Sequence, residues 1–277
     1  MIDSLRAEVP VSQLCEVFDC ARSTYYYQPV KRDERQLLQA IEVILMHQPW
    51  FGYRRVVAQL KREGWMVGER VVRRLLTQLQ HSRAVGRVRV QTTDSNHPYT
   101  RYRNLIRGAQ ITRPNQVWVA DITYVRLGTR FIYLAVILDA YSRAVRGFAV
   151  SRSLSQTLAL DALKMALAQG KPAIFHSDQG SQYSAWLHTD LLLSNNIHIS
   201  MSDKGKPQQN GIAERFMRTL KEEHVDYADY TNFDDAARQI AHWLTSVYNT
   251  QRIHSALNYA TPAEMDANYG LGRSLSL

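Results

Sequence analysis

The chain has 277 residues, a net charge of +9 and 45% hydrophobic residues. This length is sufficient for one large or two to three small domains with hydrophobic cores, and the composition is ordinary for a soluble globular protein. No apolar run reaches the roughly 18 residues of a membrane span, and the opening MIDSLRAEVP lacks the apolar segment of a signal peptide. We therefore expect a cytoplasmic protein without a membrane partner.

The positive charge is concentrated in the N-terminal part of the chain. Residues 1–110 have a net charge of +8, whereas residues 111–277 have a net charge of +1. This asymmetry is typical of a DNA-binding region joined to a catalytic core, with a solvated basic surface as the alternative. Cys15 and Cys20 have no further Cys or His pair at zinc-ligand spacing, so we predict neither a metal site nor a disulfide there.

Short helices are predicted before residue 81. Residues 11–28, within a first region 1–30, have the pattern of a helix-turn-helix with Ser12 and Ser23 as N-caps, and a plain helical hairpin is the alternative. Residues 34–47, 53–64 and 69–80 are predicted to be the helices of a second helix-turn-helix-like module, residues 31–80. The arginines on these helices could form a solvated surface or contact DNA phosphates. We predict phosphate contacts for Arg54, Arg55, Arg70, Arg73 and Arg74.

Residues 81–112 lack a clear period and contain six arginines against one aspartate. Such a segment is typical of a basic linker that follows a DNA backbone. We therefore predict that this linker binds DNA through Arg87 and Arg89.

The pattern changes near residue 115 to alternating strands and helices, which defines a predicted core of residues 113–277 with C-terminal helices. Strands are predicted at 117–126, 130–138, 144–151, 173–177 and 197–201, and helices at 156–169, 185–195, from 212 onwards and at 234–248. Short turns join the first three strands, which predicts an antiparallel meander. The expected fold class is α/β, a ribonuclease-H-like mixed five-stranded sheet flanked by helices and preceded by an all-helical region. In that topology the first and fourth strands are adjacent.

Three carboxylates stand out in this core. Asp121 lies in the apolar run VWVADITYV, Asp178 ends a strand in FHSDQGSQY, and Glu214 lies on a predicted helix after 35 intervening residues. A carboxylate in an apolar run is costly unless its charge is compensated, and a divalent metal compensates several converging carboxylates. The pattern predicts metal-assisted phosphodiester chemistry, with two ions held around a scissile phosphate by Asp121, Asp178 and Glu214.

Each carboxylate also has a structural interpretation. Asp121 could pair with a buried arginine, Asp178 could serve only its turn, and Glu214 could form a surface ion pair. Asp139, at the end of the second predicted strand, is expected to be structural. The three together, in the topological places that the fold requires, favour catalysis over any of these alternatives.

The motifs also resemble those of a known family. VWVADITYV, LDAYSRAVRGF, HSDQGSQY, SDKGKPQQNGIAERFMRTLKEE and YNTQRIHSALNYATPAEM resemble the catalytic domain of bacterial insertion-sequence transposases of the IS-three family, a DDE core of the retroviral-integrase superfamily. FGYRRVVAQLKREGWMVGERVVRRLL resembles the family's helix-turn-helix module. The family's catalytic triad maps onto Asp121, Asp178 and Glu214. Its DNA-contacting basic residue maps onto Lys221, and Arg218 on the same predicted helix face is expected to bind DNA as well.

The resemblance implies a transposase that cleaves DNA ends and joins them to a target with Mg²⁺, two ions for which Mn²⁺ can substitute. It implies double-stranded DNA partners, namely the terminal repeats and the target, and a homo-oligomer on DNA at the bacterial nucleoid. The chain has no heptad run and resembles the second-reading-frame type, which adds the upstream-frame product as an expected partner. A non-catalytic DNA-binding regulator and a purely hydrolytic nuclease of the same fold are the alternatives.

Overall fold

The structure is a computed structural model that describes residues 2–27, 34–81 and 100–272. The chain divides into two compact units, Met1–Met46 and His47–Leu277. Helices α1 (Ile2–Leu5), α2 (Val11–Val17) and α3 (Arg22–Tyr25) lie in the first unit, and α4 (Arg35–His47) ends at the boundary. The Tyr25 hydroxyl donates to Asp3 Oδ1 at 2.7 Å and joins α3 to α1.

The predicted N-caps of the first unit are wrong. Helix α2 begins directly after Pro10 and α3 directly after Ala21, and neither of these residues has a capping side chain. Because Pro10 has an extended ψ of 136°, the chain enters the helix before Ser12. Cys15 is buried and Cys20 is partly exposed, and both are free thiols.

The second unit begins with the helix pair α5 (Tyr53–Arg62) and α6 (Glu69–Gln78). Their buried residues recur at helical spacing and form the apolar face between them: Val56, Val57 and Leu60 on α5, and Val72, Leu75 and Leu76 on α6. Gly64, with φ of +88°, ends the first helix in a left-handed conformation that glycine adopts without strain. Arg54, Arg70, Arg73 and Arg74 of the two helices are exposed to solvent.

A five-stranded mixed sheet forms the centre of the second unit, in the order β3-β2-β1-β4-β5. Its strands are β1 (Val117–Leu127), β2 (Arg130–Asp139), β3 (Val145–Ser151), β4 (Ile174–Ser177) and β5 (His198–Met201). Strands β1 to β3 form an antiparallel meander, and β4 pairs in parallel with both β1 and β5. The predicted ribonuclease-H-like topology, with the first and fourth strands adjacent, is confirmed.

Six further α-helices follow in the described part of this unit: α7 (Gln156–Leu167), α8 (Ser181–Ser184), α9 (Trp186–Ser194), α10 (Gly211–Glu223), α11 (Phe233–His242) and α12 (Pro262–Gly270). They differ from the predicted helices in three places. The short α8 precedes the predicted helix 185–195, the predicted helix 234–248 continues past α11 as a π-helical segment, Trp243–Tyr248, and α12 was not predicted. Across the described ranges, every helix is too short or too polar for a bilayer crossing.

Two apolar layers enclose the sheet. Val117, Val119 and Val125 of β1 pack with residues of α10 and α11, while Trp118 and Ala120 pack with residues of α7 and α9. This alternation follows from the two-residue period of a strand and explains why a central strand is apolar on both faces. Asp121 shares the parity of Val119, so its side chain leaves β1 on the side that α10 covers.

Glu223, at the end of α10, lies at the centre of a buried ion cluster. Its side chain is 1% exposed and accepts bonds from Arg252 Nε at 2.6 Å and from Arg55 Nη1 at 2.8 Å. Burial raises the Glu223 pKa, but the hydrogen bonds and positive charges of Arg252 and Arg55 outweigh it, and the net pKa lies below the usual value. Through Arg55, the cluster attaches helix α5 to α10.

We expect Glu223→Gln to lower the free energy of unfolding by about 3–5 kcal/mol, since it leaves two buried guanidinium groups without their anion. Glu264→Gln is the matched control. Glu264 forms an exposed ion pair with Arg62, and glutamine preserves its capping box with Thr261, so a loss of at most about 1 kcal/mol is expected. Urea unfolding of both variants measures the difference. Equal losses would show that the buried cluster contributes no more than a surface pair.

Candidate active site

Asp121 lies in the middle of the central strand and is partly buried. It stands opposite Val136 of β2, between Ala120 and Ile122. Its Oδ1 accepts the backbone N–H of Ile122 at 2.8 Å. Among the described residues, no arginine forms an ion pair with Asp121. The alternative interpretation, in which Asp121 pairs with a buried arginine, is therefore not supported.

Asp178 follows the last residue of β4. The parallel register pairs Val119 with His176, so Asp121 and Asp178, each two residues further on, lie at the same level of adjacent strands. The end of β4 is fixed by His176, whose ring nitrogens contact the hydroxyls of Ser200 at 2.8 Å and Ser202 at 3.1 Å. Burial lowers the His176 pKa to about 4, so this ring is neutral.

The turn after Asp178 brings the backbone close to its carboxylate. Gly180 N–H donates to Asp178 Oδ1 at 3.0 Å, and a Cβ at Gly180 would lie 3.0 Å from that same oxygen. Gly180 O in turn accepts the backbone N–H of Tyr183 at 3.1 Å, which starts α8. A side chain at this position would therefore crowd the carboxylate of Asp178, which would have to shift slightly to accommodate it.

Glu214 lies in the first turn of α10 and is exposed to solvent. The start of this helix is anchored to the central strand, because the buried Asn210 donates its Nδ2 to Ala120 O at 2.9 Å, one residue before Asp121. Ala213, Phe216 and Met217 bury the opposite face of the helix. This hydrogen bond therefore fixes the start of α10, and with it the backbone of Glu214, relative to β1.

The electrostatics show that the three carboxylates are close enough to interact. Burial and the charges of Asp178 and Glu214 raise the pKa of Asp121, the Ile122 hydrogen bond and the Lys221 charge lower it, and the net pKa is about 8. Within the described ranges, however, no three acidic, His or Cys side chains are already gathered as a metal-binding group. Glu214, which is exposed on its helix, is the member with freedom to move.

Lys221 and Arg218 occupy the same helix as Glu214. Lys221 is partly buried, with its Nζ 4.2 Å from the centre of the Tyr124 ring. Burial lowers the Lys221 pKa, while the charges of Asp226 and Asp121 raise it. Arg218 is exposed. Lys221 is therefore directed to the carboxylate site, and Arg218 to solvent.

The arginines of the helix-turn-helix-like module fall into two groups. Arg54, Arg70, Arg73 and Arg74 are exposed, and Arg73 also lies 3.9 Å from the centre of the Tyr53 ring. Arg55 is instead 16% exposed and paired with Glu223. The periodicity of α5 does not distinguish Arg54 from Arg55, since the partner of Arg55 lies 168 residues further on. Arg87 and Arg89 lie outside the described residues.

Asp139 has a structural environment. Its carboxylate is fully buried and accepts the backbone N–H groups of Asn115, Tyr141 and Ser142, with Arg146 Nη2 3.4 Å away. The acceptor capacity of Asp139 is thus used to hold the turn between β2 and β3.

Sequence reasoning missed Tyr183, which lines a small cavity together with Asp121, Asp178, Gly180 and Gln182. The available signal was its place in the motif HSDQGSQY, five residues after Asp178. An aromatic residue at such a position more commonly packs in the hydrophobic core, so the sequence alone does not mark Tyr183 as part of the site.

Known families match the chain along most of its length. Two models described as integrase core domain match residues 111–207 and 195–262, and a model described as HTH-like domain matches residues 31–90. Among solved structures, the catalytic core of HTLV-2 integrase in complex with magnesium is 18% identical, with a TM-score of 0.44, over 55% of this chain and 97% of that one. A simian T-cell lymphotropic virus intasome is also 18% identical, with a TM-score of 0.49, over 82% of this chain and 74% of that one.

Bacterial relatives are more similar. The 31 kDa protein of insertion element IS600 from Shigella sonnei is 34% identical over 92% of this chain and 98% of its own length. The transposase for insertion sequence element IS629, also from Shigella sonnei, is 30% identical over 97% of this chain and 95% of its own length. Transposase InsF for insertion sequence IS3A from Escherichia coli K12 is 27% identical over 96% of each chain. With such similarity along nearly its whole length, the chain belongs to the IS-three family of bacterial insertion-sequence transposases.

Proposed function

We propose that the chain is a DNA transposase that cleaves the ends of an insertion sequence and joins them to target DNA, with Asp121, Asp178 and Glu214 as its acidic triad. The observation that carries this assignment is the adjacency of Asp121 and Asp178 on neighbouring strands, and burial together with the Asp178 charge raises the pKa of Asp121. Negative charge is concentrated where a positive ion is needed. In a transposase family, that site is the natural place for the reaction.

The donor set fits a divalent metal. All three side chains offer carboxylate oxygens, which Mg²⁺ and Mn²⁺ prefer, and the raised Asp121 pKa shows that its negative charge lacks compensation in the metal-free protein. We infer that Asp121, Asp178 and Glu214 would together hold two such ions. When bound, such ions supply Lewis-acid activation of the attacking oxygen and stabilise the leaving oxygen.

The remaining residues of the site orient these ligands. The Gly180 N–H fixes one oxygen of Asp178, and the Asn210 amide fixes the start of α10 relative to Asp121. Movement of Glu214 toward the pair completes the acidic cluster in this proposal. Since the triad needs no protein nucleophile, we expect no covalent intermediate between protein and DNA.

The DNA contacts are also proposals. Lys221, a point charge beside the acidic site, is assigned to the phosphate of the reacting end, and Arg218 to the flanking backbone. Arg54, Arg70, Arg73 and Arg74 are assigned to double-stranded DNA at the terminal repeats, as are Arg87 and Arg89 of the linker. Arg55 is assigned instead to its ion cluster with Glu223. Target DNA, assembly as a homo-oligomer and the upstream-frame product complete the proposed partners.

The triad is tested by charge removal at constant shape. Asp121→Asn, Asp178→Asn and Glu214→Gln are each expected to abolish end cleavage and strand transfer in Mg²⁺, because each removes a ligand charge, while DNA binding persists. An assay with pre-cut ends measures joining, and gel shift measures binding. Near-wild-type joining by any one variant would remove that residue from the triad. Asp139→Asn is a useful contrast, since its effect is expected in stability.

The pH dependence of stability gives a second test. Folded Asp121 keeps its proton up to about pH 8, whereas the ordinary value is 3.8, so between these values the folded state binds the extra proton. Rising pH therefore costs stability across this window, and Asp121→Asn removes that cost. In EDTA, the melting temperature of Asp121→Asn should exceed that of the wild type by more at pH 8 than at pH 6. A difference that stays constant or shrinks contradicts the site electrostatics.

Salt dependence separates the two groups of arginines. In the full chain, Arg54→Gln combined with Arg70→Gln should reduce the slope of log affinity against log salt by about two, since each lost phosphate contact removes about one unit. Arg55→Gln, the matched control on the same helix, should leave the slope unchanged and lower the melting temperature. Binding of a non-specific duplex between low and moderate salt measures both. If Arg55→Gln reduces the slope like the others, its assignment to the ion cluster alone is wrong.

A further inference from the structure

The Tyr183 hydroxyl is the feature of the site that the proposed chemistry leaves unused. Tyr183 lies on α8, is 3% exposed, and its ring packs against Phe175 and His188 with centroid distances of 6.3 and 5.6 Å. Its hydroxyl oxygen is buried and has no hydrogen-bond partner in the part of the chain that the structure describes. A buried hydroxyl without a partner is destabilising, so a phenylalanine would serve packing better.

The surroundings of this hydroxyl point to the carboxylates. Tyr183 lines the same cavity as Asp121 and Asp178, and their negative charges add to burial in raising the Tyr183 pKa well above its usual value. The phenol is thus a neutral O–H donor at all working pH values. Its place is also fixed, because Tyr183 N–H bonds to Gly180 O and Gly180 N–H bonds to Asp178 Oδ1.

We propose that Tyr183 is a positioning residue whose O–H donates to the carboxylate pair Asp121–Asp178 when the pair holds a divalent cation. This rests on the proposed function and deepens it. The buried hydroxyl lines the same cavity as both carboxylates and has no hydrogen-bond partner among the described residues. A hydrogen bond from a neutral donor stabilises a charged carboxylate without displacing a metal ligand. The hydroxyl then orients the carboxylates of Asp121 and Asp178.

A plain aromatic core residue is the competing interpretation. It explains the contacts with Phe175 and His188 but gives the hydroxyl no use. The two interpretations differ in a measurable way. If Tyr183 only packs, Tyr183→Phe preserves every contact and leaves metal affinity unchanged. If it positions the carboxylates, the same change weakens metal binding although the fold is intact.

The experiment is a calorimetric titration of the full, DNA-free chain with MgCl₂, paired with thermal melting in EDTA. Tyr183→Phe is expected to weaken Mg²⁺ binding by about tenfold to hundredfold, the usual effect of one hydrogen bond to a charged group. Its melting temperature in EDTA should equal or exceed that of the wild type. Tyr230→Phe is the matched control, since the Tyr230 hydroxyl is also buried without a partner in the described residues but neighbours His224 and not the triad. It should leave Mg²⁺ affinity unchanged.

Asp121→Asn separates the two layers of the proposal. If Asp121→Asn abolishes Mg²⁺ binding but Tyr183→Phe binds like the wild type, the role of Tyr183 is overturned and the metal site stands. If Asp121→Asn binds Mg²⁺ normally, the metal site itself fails. A lower melting temperature of Tyr183→Phe in EDTA would reveal a structural partner for the hydroxyl and would also overturn the positioning role. Equal weakening by Tyr230→Phe would do the same.

Discussion

The rest of the site depends on the repulsion between two carboxylates on adjacent strands. The parallel pairing of β1 and β4 places Asp121 level with Asp178, and no arginine in the described ranges pairs with Asp121 to relieve the charge. A fold that buries this arrangement is less stable in the metal-free state than one with neutral residues there. Perturbed groups of this kind cluster at functional sites, and the proposed role of the pair is to have its charge matched by a bound cation.

Helix α10 connects this charge to the rest of the protein. Its first turn has Glu214, its last turn has Lys221 over Tyr124, and its last residue is the buried Glu223. Asn210 anchors the start to β1, and Arg252 together with Arg55 anchors the end. Because α10 is fixed at both ends, its position and rotation relative to the sheet are set. The exposed side chain of Glu214 can therefore move while the helix stays in place. The same anchor extends to α5, which places the helix-turn-helix-like module and the helix that bears Glu214 on one scaffold.

Much of the fold could be predicted because the signals are local, and signals of the same kind mark the three carboxylates of the proposed triad. A carboxylate in an apolar run, a strand-ending Asp in a glycine turn and a helix with one apolar face are each visible in a few consecutive residues. The α12 helix was also marked, by the capping box of Thr261 and Glu264, but its face is weakly apolar and periodicity alone overlooked it. Arg55 could not be separated from Arg54, since burial beside Glu223 is a property of the tertiary structure. The unused Tyr183 hydroxyl is equally invisible in sequence, where a tyrosine amid apolar residues indicates only packing.

The contrast between Arg55 and Arg70 shows how one basic module can serve two purposes. An arginine whose guanidinium is buried against Glu223 is held by a desolvated carboxylate, so DNA cannot compete for it without leaving that carboxylate unpaired. An exposed arginine such as Arg70 keeps its hydration and its freedom, which are the conditions for counterion release on a phosphate backbone. The net charge of +8 in residues 1–110 therefore overstates the charge available to DNA, because part of it stabilises the junction with α10.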